Sequence, residues 1–453
     1  MAAVGKRDMT FGPEWKHILL FSLPIMAGNL LQQLYNTVDG IVVGNFVSQN
    51  ALAAAGTSGT LAFLFLAFSI GFGNGAGIMI AQLFGARMYD ELKSAVSTSL
   101  LLLVGMGACF SLVGCAFARL LLHGLMNVPE GEVLDLAVQY FAIYSVGFLL
   151  QFIYNTVAAI LRAVGDSQAT LYFLLVSSFI NIALDLLFVV TFHWGIAGAA
   201  VATVLSQLGS AGVSVVYMFK KYPVFRFAKG EFVFRRDKCM LCLRLGVPNT
   251  IQQSIVSFGN IFVQRLVNTF GEAAMAAFTV GVRLESYLFV PAVGLSVGVS
   301  NFTAQNIGAG KIDRVKRGSR ASVVIVLIIA FTLELASYLF ARPLAALFGV
   351  EGEAMTLSVS YIRFLAYFFW MFAVYICYSG LFQGAGDVIY AMAGSLLSLA
   401  VRVIAAYTMV YAFGVDFSAV WIAMPIGWVF CLTMAVWRYL SGGWKEKGIV
   451  KHG

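Results

Sequence analysis

In the stretch LLQQLYNTVDGIVVG, the polar residues Gln32, Tyr35, Asn36 and Asp39 recur at intervals of three and four, which places them on one helix face. The run around them, from about Ile18 to Val47, is otherwise apolar or uncharged. A second stretch, SSFINIALDLLFVV, repeats the arrangement with Ser178, Asn181 and Asp185. A charged side chain at mid-membrane depth costs at least about 2.5–3.5 kcal/mol, so such residues usually face a cavity and serve a function. Two converging carboxylates repel each other unless one is protonated or a cation lies between them. Oxygen ligands from Asp39, Asp185, Asn181 and the Thr203 hydroxyl suit a hard cation, and these four form the candidate cation site. The competing reading is that each carboxylate is paired or held neutral as a structural hydrogen-bond donor. Apart from Lys16 and Arg119 at span ends, no Lys or Arg lies inside the helices expected for this half, so a salt bridge within it is not available. Tyr140, Tyr144, Gln151 and Asn155 add polar groups at helical spacing, as do Thr203 and Gln207.

The elements that position these residues follow from composition. The chain has 453 residues, 60% of them hydrophobic and only 11% charged. About a quarter of a soluble domain is charged, so lipid is the solvent for most of this one. A helical span needs about 20 mostly apolar residues. Twelve such stretches are readable, near 16–46, 51–83, 94–122, 133–161, 168–192, 195–219, 243–269, 272–306, 319–341, 354–382, 389–413 and 417–440. A β-barrel would show dyad alternation in short strands instead. The expected fold is an all-α polytopic membrane protein with twelve transmembrane helices. One set of loops and tails carries 23 Lys and Arg and the opposite set only Arg119 and Arg342, which places both termini in the cytoplasm. The net charge of +8 is thus a topology signal, aided by anionic lipid, and not a sign of nucleic-acid binding.

An internal repeat organises the chain. IGFGNGAGIMIAQLFGARMYDE (70–91) matches VGLSVGVSNFTAQNIGAGKIDR (293–314), and EGEVLDLAVQY (130–140) matches EGEAMTLSVSY (351–361) at an offset of 221. The same offset pairs Gly165-Asp166 with Gly386-Asp387, while Pro24 pairs with Pro248. The expectation is two pseudo-symmetric six-helix bundles, 1–221 and 239–453, joined by a basic cytoplasmic linker at 222–238. In the repeated AQ-x-x-GA-x-x-x-D element, the small residues permit close helix contact, and Asp90 and Asp313 are expected to cap the helix that follows. The second half does not mirror the acidic pattern. It offers Glu285 and Arg402 as a second polar site, with Arg363 as another partner for a buried pair, and Glu334 as a further carboxylate.

The segments LPIMAGNLLQQLYNTVDGIVVG, AQLFGA, LRAVGD, NIALDLLFV with GIAGAAVATVLSQ, RLESYLFVPAVGLS and AQNIGAG together resemble the multidrug and toxic compound extrusion (MATE) transporters over essentially the full chain. The resemblance implies export of lipophilic organic cations or related compounds in antiport with Na+ or H+. It assigns the amino-lobe cation site to Asp39, Asn181, Asp185 and Thr203, which would hold Na+ in a sodium-coupled protein. It also gives Gln32, Tyr35, Asn36, Tyr140, Gln151 and Asn155 as a substrate wall, and Pro24 as a point where helix one bends. No cofactor beyond the coupling ion is implied. The expected partners are a small-molecule substrate and membrane lipid, with a monomer as the working unit. A flippase for a lipid-linked saccharide is the alternative, kept open by Arg283, Arg363 and Arg402. An enzyme is disfavoured, because the four histidines fall at segment ends or tails and no nucleophile–base pair is readable.

Overall fold

The computed structural model describes residues 8–228 and 230–451. For residues 36, 38–41, 45, 256–258 and 260 it describes the helical backbone but not the side chain. Among the described residues, twelve long helices run along the chain: α1 (Glu14–Phe46), α2 (Gln49–Gly85), α3 (Tyr89–Ala116), α4 (Glu132–Ala163), α5 (Ser167–Asp185), α6 (Gly195–Lys221), α7 (Arg236–Val267), α8 (Glu272–Gly308), α9 (Ile312–Leu339), α10, α11 (Val388–Tyr411) and α12 (Ala419–Ser441), with a short helix, Ala341–Ala346, between α9 and α10. α10 is in two pieces, Gly352–Leu365 and Phe369–Ala385, bent by 52°. Long helices are what lipid demands, because every backbone donor and acceptor must be satisfied within the segment. Among the described residues, ten helices are long and apolar enough to cross a membrane, and eleven when the two pieces of α10 count as one span. The protein is an integral, multi-pass membrane protein.

The compact units do not divide at the linker. One comprises Ala27–Thr250 and the other Met9–Met26 with Ile251–Gly453. Glycines in the repeated element account for this. A Cβ on Gly75 would lie 2.5 Å from the backbone nitrogen of Gly246, and one on Gly71 would collide with Thr250, so α2 seats the first part of α7. In the other unit, a Cβ on Gly294 would lie 2.5 Å from Met26 Cγ and one on Gly298 would strike Ser22, so α8 seats the first part of α1. The linker also holds to α3. Ser97 donates to the Val233 carbonyl at 2.7 Å, Arg235 N–H donates to Thr98 Oγ1 at 3.0 Å, and Lys93 pairs with Glu231 at 2.9 Å. The Ala228 N–H and the Lys93 ammonium hold the Glu231 carboxyl below its usual range.

Asp90 and Asp313 sit inside the first turns of α3 and α9 and do not cap them, since Met88 and Lys311 occupy the N-cap positions without a side-chain bond. A carboxylate in the first turn still complements the helix dipole. The paired glycines Gly165 and Gly386 both take φ 89, the left-handed region that closes a helix. Asp166 follows as a true cap, accepting from Ala169 N–H at 3.2 Å, and it also accepts from the hydroxyls of Tyr222 at 2.6 Å and Tyr217 at 3.0 Å. Its repeat partner Asp387 accepts from Arg438 Nε at 2.8 Å.

Candidate functional site

Asn181 and Asp185 lie one turn apart on α5, and Thr203 faces them from α6. All three are buried, at 1%, 0% and 4% exposure. The Asn181 amide donates to Asp185 Oδ2 at 2.8 Å and accepts from the Thr203 backbone N–H at 3.3 Å. The reverse amide orientation would press two acceptors together. The Thr203 hydroxyl donates back to the Ala199 carbonyl at 3.0 Å, which commits its proton to its own helix and leaves its lone pairs able to accept or ligate. Directly after Asp185 the chain widens into a π-helical turn, Leu186–Thr191. Such turns are frequent at functional sites, and here one re-aims the backbone immediately beyond the buried carboxylate.

Around this cluster the helices pack closely. A Cβ on Gly147 of α4 would collide with the Gln207 amide, one turn along α6 from Thr203. Ser177 of α5 donates to the Ser206 carbonyl of α6 at 3.2 Å. On α4, Tyr140 and Tyr144 stack with ring centroids 5.9 Å apart. Nearer its other end, Asn155 donates to Ser69 Oγ at 2.9 Å, and Ser69 donates to the Gln151 carbonyl at 3.4 Å, tying α2 to α4. Gln32 is exposed and Tyr35 half-buried on α1. Asn36 and Asp39 fall on α1 too, but their side chains lie outside the described residues. Three of the four expected cation ligands are therefore brought together, and the fourth, Asp39, is on α1 with its side chain outside the described residues.

In the other unit the expected buried ion pair is not formed. Glu285 Oε1 accepts from the Tyr361 hydroxyl at 2.9 Å, and no N–O contact within 4.0 Å joins Glu285 to Arg363 or Arg402. Arg363 instead lies over the Tyr338 ring, 5.3 Å from its centroid. Glu334 accepts the backbone N–H of Trp370 at 2.6 Å, where the second piece of α10 begins. A partly buried network that the sequence pattern did not suggest joins α7, α10 and α11. Gln252 donates to Ser395 at 2.7 Å, Gln383 donates to Gln252 at 3.1 Å, and Tyr375 and Ser395 share a 2.8 Å bond. The signal was present in part, since Tyr375, Ser379 and Gln383 recur every four residues.

Apolar helices in two repeats, with a buried carboxylate–amide–hydroxyl cluster in one of them, define a polytopic membrane transporter. The MatE family model matches residues 24–187 and 248–408, and the chain belongs to that family. It is 31% identical over 445 residues to the probable multidrug resistance protein YoeA of Bacillus subtilis (strain 168), covering 96% of each chain. It superposes on a multidrug resistance MATE family transporter of the MOP superfamily in an outward-facing conformation with a TM-score of 0.91 and 25% identity, over 97% of this chain and 98% of that one. A MATE structure in a bent conformation superposes equally well, at 0.91 and 25% identity over 99% of both chains. The two-bundle, twelve-helix architecture read from the repeat is the architecture of these transporters.

Proposed function

We propose that this protein is a secondary active exporter of lipophilic organic cations or related small molecules, driven by inward movement of Na+ or H+. The observation that carries the reading is the buried Asn181–Asp185–Thr203 cluster at the π-helical turn of α5. A carboxylate held there is costly at this depth unless a cation or proton balances it, and that balance is what a gradient can change. Asp39, on α1, completes the cation site in this reading. Gln32, Tyr35, Asn36, Tyr140, Gln151 and Asn155 form the substrate wall, where amide and phenol groups meet an apolar surface rich in Phe and Met that can re-pack around different compounds. The multidrug relative and the family's antiport chemistry support it, and neither favours the lipid-saccharide flippase. The test is transport in proteoliposomes under imposed Na+ or pH gradients, with a panel of cationic dyes. Gradient-driven dye movement is expected. Transport of lipid-linked pyrophosphates with no dye movement would replace this reading with the flippase.

In this reading both termini face the cytoplasm. Single cysteines placed at exposed positions of 231–237 should react with an impermeant maleimide only in inside-out vesicles. Labelling in intact cells would reverse the topology.

Pro24 supplies the bend of α1 that alternating access requires, because its ring removes one backbone donor and disfavours a straight helix. It lies two residues before the point at which α1 passes from one compact unit to the other, and a relative has been seen bent. Pro24→Ala restores the donor and should slow ion-driven efflux about five-fold or more while raising the Tm. Unchanged efflux would remove Pro24 from the mechanism.

A further inference from the structure

The 221-residue offset that pairs Tyr140 with Tyr361 and Asp166 with Asp387 also pairs Asn181 with Arg402 and Thr203 with Met424. The amide and hydroxyl positions of the amino-terminal cluster thus fall on Arg402 and Met424, and Tyr361, the counterpart of Tyr140, meets Met424. Tyr361 donates to Glu285 Oε1 at 2.9 Å and also lies 3.5 Å from Met424 Sδ. Its ring fits against α8 because Gly281, one turn before Glu285, has no Cβ to block it. Arg402 packs beside Gly427, three residues along α12 from the Met424 that Tyr361 meets.

The chemistry of the two copies differs in where their charges lie. The same register sets Ala406, buried and apolar, opposite Asp185, and the pairing of Pro24 with Pro248 sets buried Val263 opposite Asp39. The carboxyl-terminal copy has instead recruited one carboxylate, Glu285, from α8, where α2 carries buried Ala62. It has also placed a guanidinium at the amide position. A buried carboxylate needs a positive charge to balance it, and although no direct ion pair joins it to Glu285, Arg402 supplies this copy with a permanent one, since arginine does not deprotonate in proteins. Arg402 Nε is itself buried and meets no hydrogen-bond acceptor among the described residues, so the guanidinium is not used up by a different partner at that atom.

We propose that the carboxyl-terminal unit carries a converted copy of the cation site, in which the fixed charge of Arg402 stands where the amino-terminal site takes an exchangeable cation. Coupling is then confined to one site per molecule, and the second copy holds its helices in place without responding to the gradient. This inference rests on the amino-terminal coupling reading, and its test separates the two.

The test uses detergent-purified protein, with Tm followed against added NaCl (choline chloride as control) and against pH. Asp39→Asn/Asp185→Asn should lose the wild-type cation response. Adding Arg402→Asn, which recreates the amide of the amino-terminal site beside Glu285, should restore a response to Na+ or H+ of a few degrees. Adding Glu285→Gln as well should abolish it again. A folded Arg402→Asn protein with no response overturns the proposal. So does a response in Asp39→Asn/Asp185→Asn that Glu285→Gln alone removes, because Glu285 would then be exchanging a cation beside Arg402. A response there that Glu285→Gln leaves untouched would refute the amino-terminal reading alone; the Arg402→Asn and Arg402→Asn/Glu285→Gln pair still decides the proposal. Should Arg402→Asn fail to fold, wild-type background comparisons replace it. Glu285→Gln, which strands the guanidinium, should lower Tm, and Glu285→Gln/Arg402→Gln should recover part of the loss. A double variant no more stable than Glu285→Gln overturns the proposal.

Discussion

Asp185→Asn is expected to lower gradient-driven efflux by about ten-fold or more, under whichever of the Na+ and pH gradients drives the wild type. The substitution is close to isosteric, and its carbonyl oxygen can still accept the Asn181 amide proton that Asp185 Oδ2 accepts at 2.8 Å. What it removes is the charge. A ligand shifts a conformational equilibrium only by its differential affinity for the two states, and a neutral amide offers a cation or proton little to discriminate. Folding should survive, because the buried position no longer needs a counter-charge and Tm should hold or rise. Asp39→Asn should behave alike if both carboxylates serve one ion. Thr203→Val, which keeps the shape and deletes the hydroxyl, should weaken Na+ dependence more than proton dependence, since a proton needs no such ligand. Wild-type efflux rates in Asp185→Asn under both gradients would remove the basis of the mechanism.

Much of this site could be read from the sequence because lipid leaves few alternatives. A carboxylate inside an apolar run announces itself, and a spacing of four is enough to put Asn181 and Asp185 on one helix face. The repeat was legible for the same reason, since glycine pairs and Gly-Asp turns survive where apolar residues interchange. What was not legible depends on contacts between distant segments. The break in α10 falls in FLAYFFWMF, which contains neither Pro nor Gly. A carboxylate from α9 accepting the Trp370 N–H marks the new helix start, and no local pattern encodes that. The π-helical turn after Asp185 is equally silent, because LLFVVT reads as an ordinary helical continuation. The division of the compact units has no local signal either. A basic linker at 222–238 looks like a boundary, yet the backbone of α7 as far as Thr250 belongs with the first unit, because two glycines of α2 let it approach.

That close approach sets the second large effect. Gly75→Val should cost at least about 3 kcal/mol, at the upper end of what overpacking does, and the protein should unfold at lower temperature or accumulate poorly. The reason is the kind of atom struck. A Cβ at Gly75 meets the backbone nitrogen and Cα of Gly246, at 2.5 and 2.7 Å, and backbone has no rotamer to turn aside. Gly294 lies in the matching element of the second half, where it pairs with Gly71, but its nearest neighbour is Met26 Cγ, part of an unbranched side chain that adapts readily. Gly294→Ala should therefore be milder than Gly75→Ala, although the two glycines lie within the same repeated element. Gly105 of α3 has nothing within 4 Å of its would-be Cβ, so Gly105→Ala is the control, and it should stabilise by up to about 1 kcal/mol through helix propensity. Thermal unfolding in one detergent, read for all four variants, orders them. If Gly75→Val unfolds with the wild type, α2 does not seat the first part of α7, and the glycine pairs of the repeat would need another explanation. If the expected order holds, α7 is anchored by its first part to one unit and built by its remainder into the other. Any rearrangement between the units must then bend or release that helix beyond Thr250, as α1 must beyond Met26.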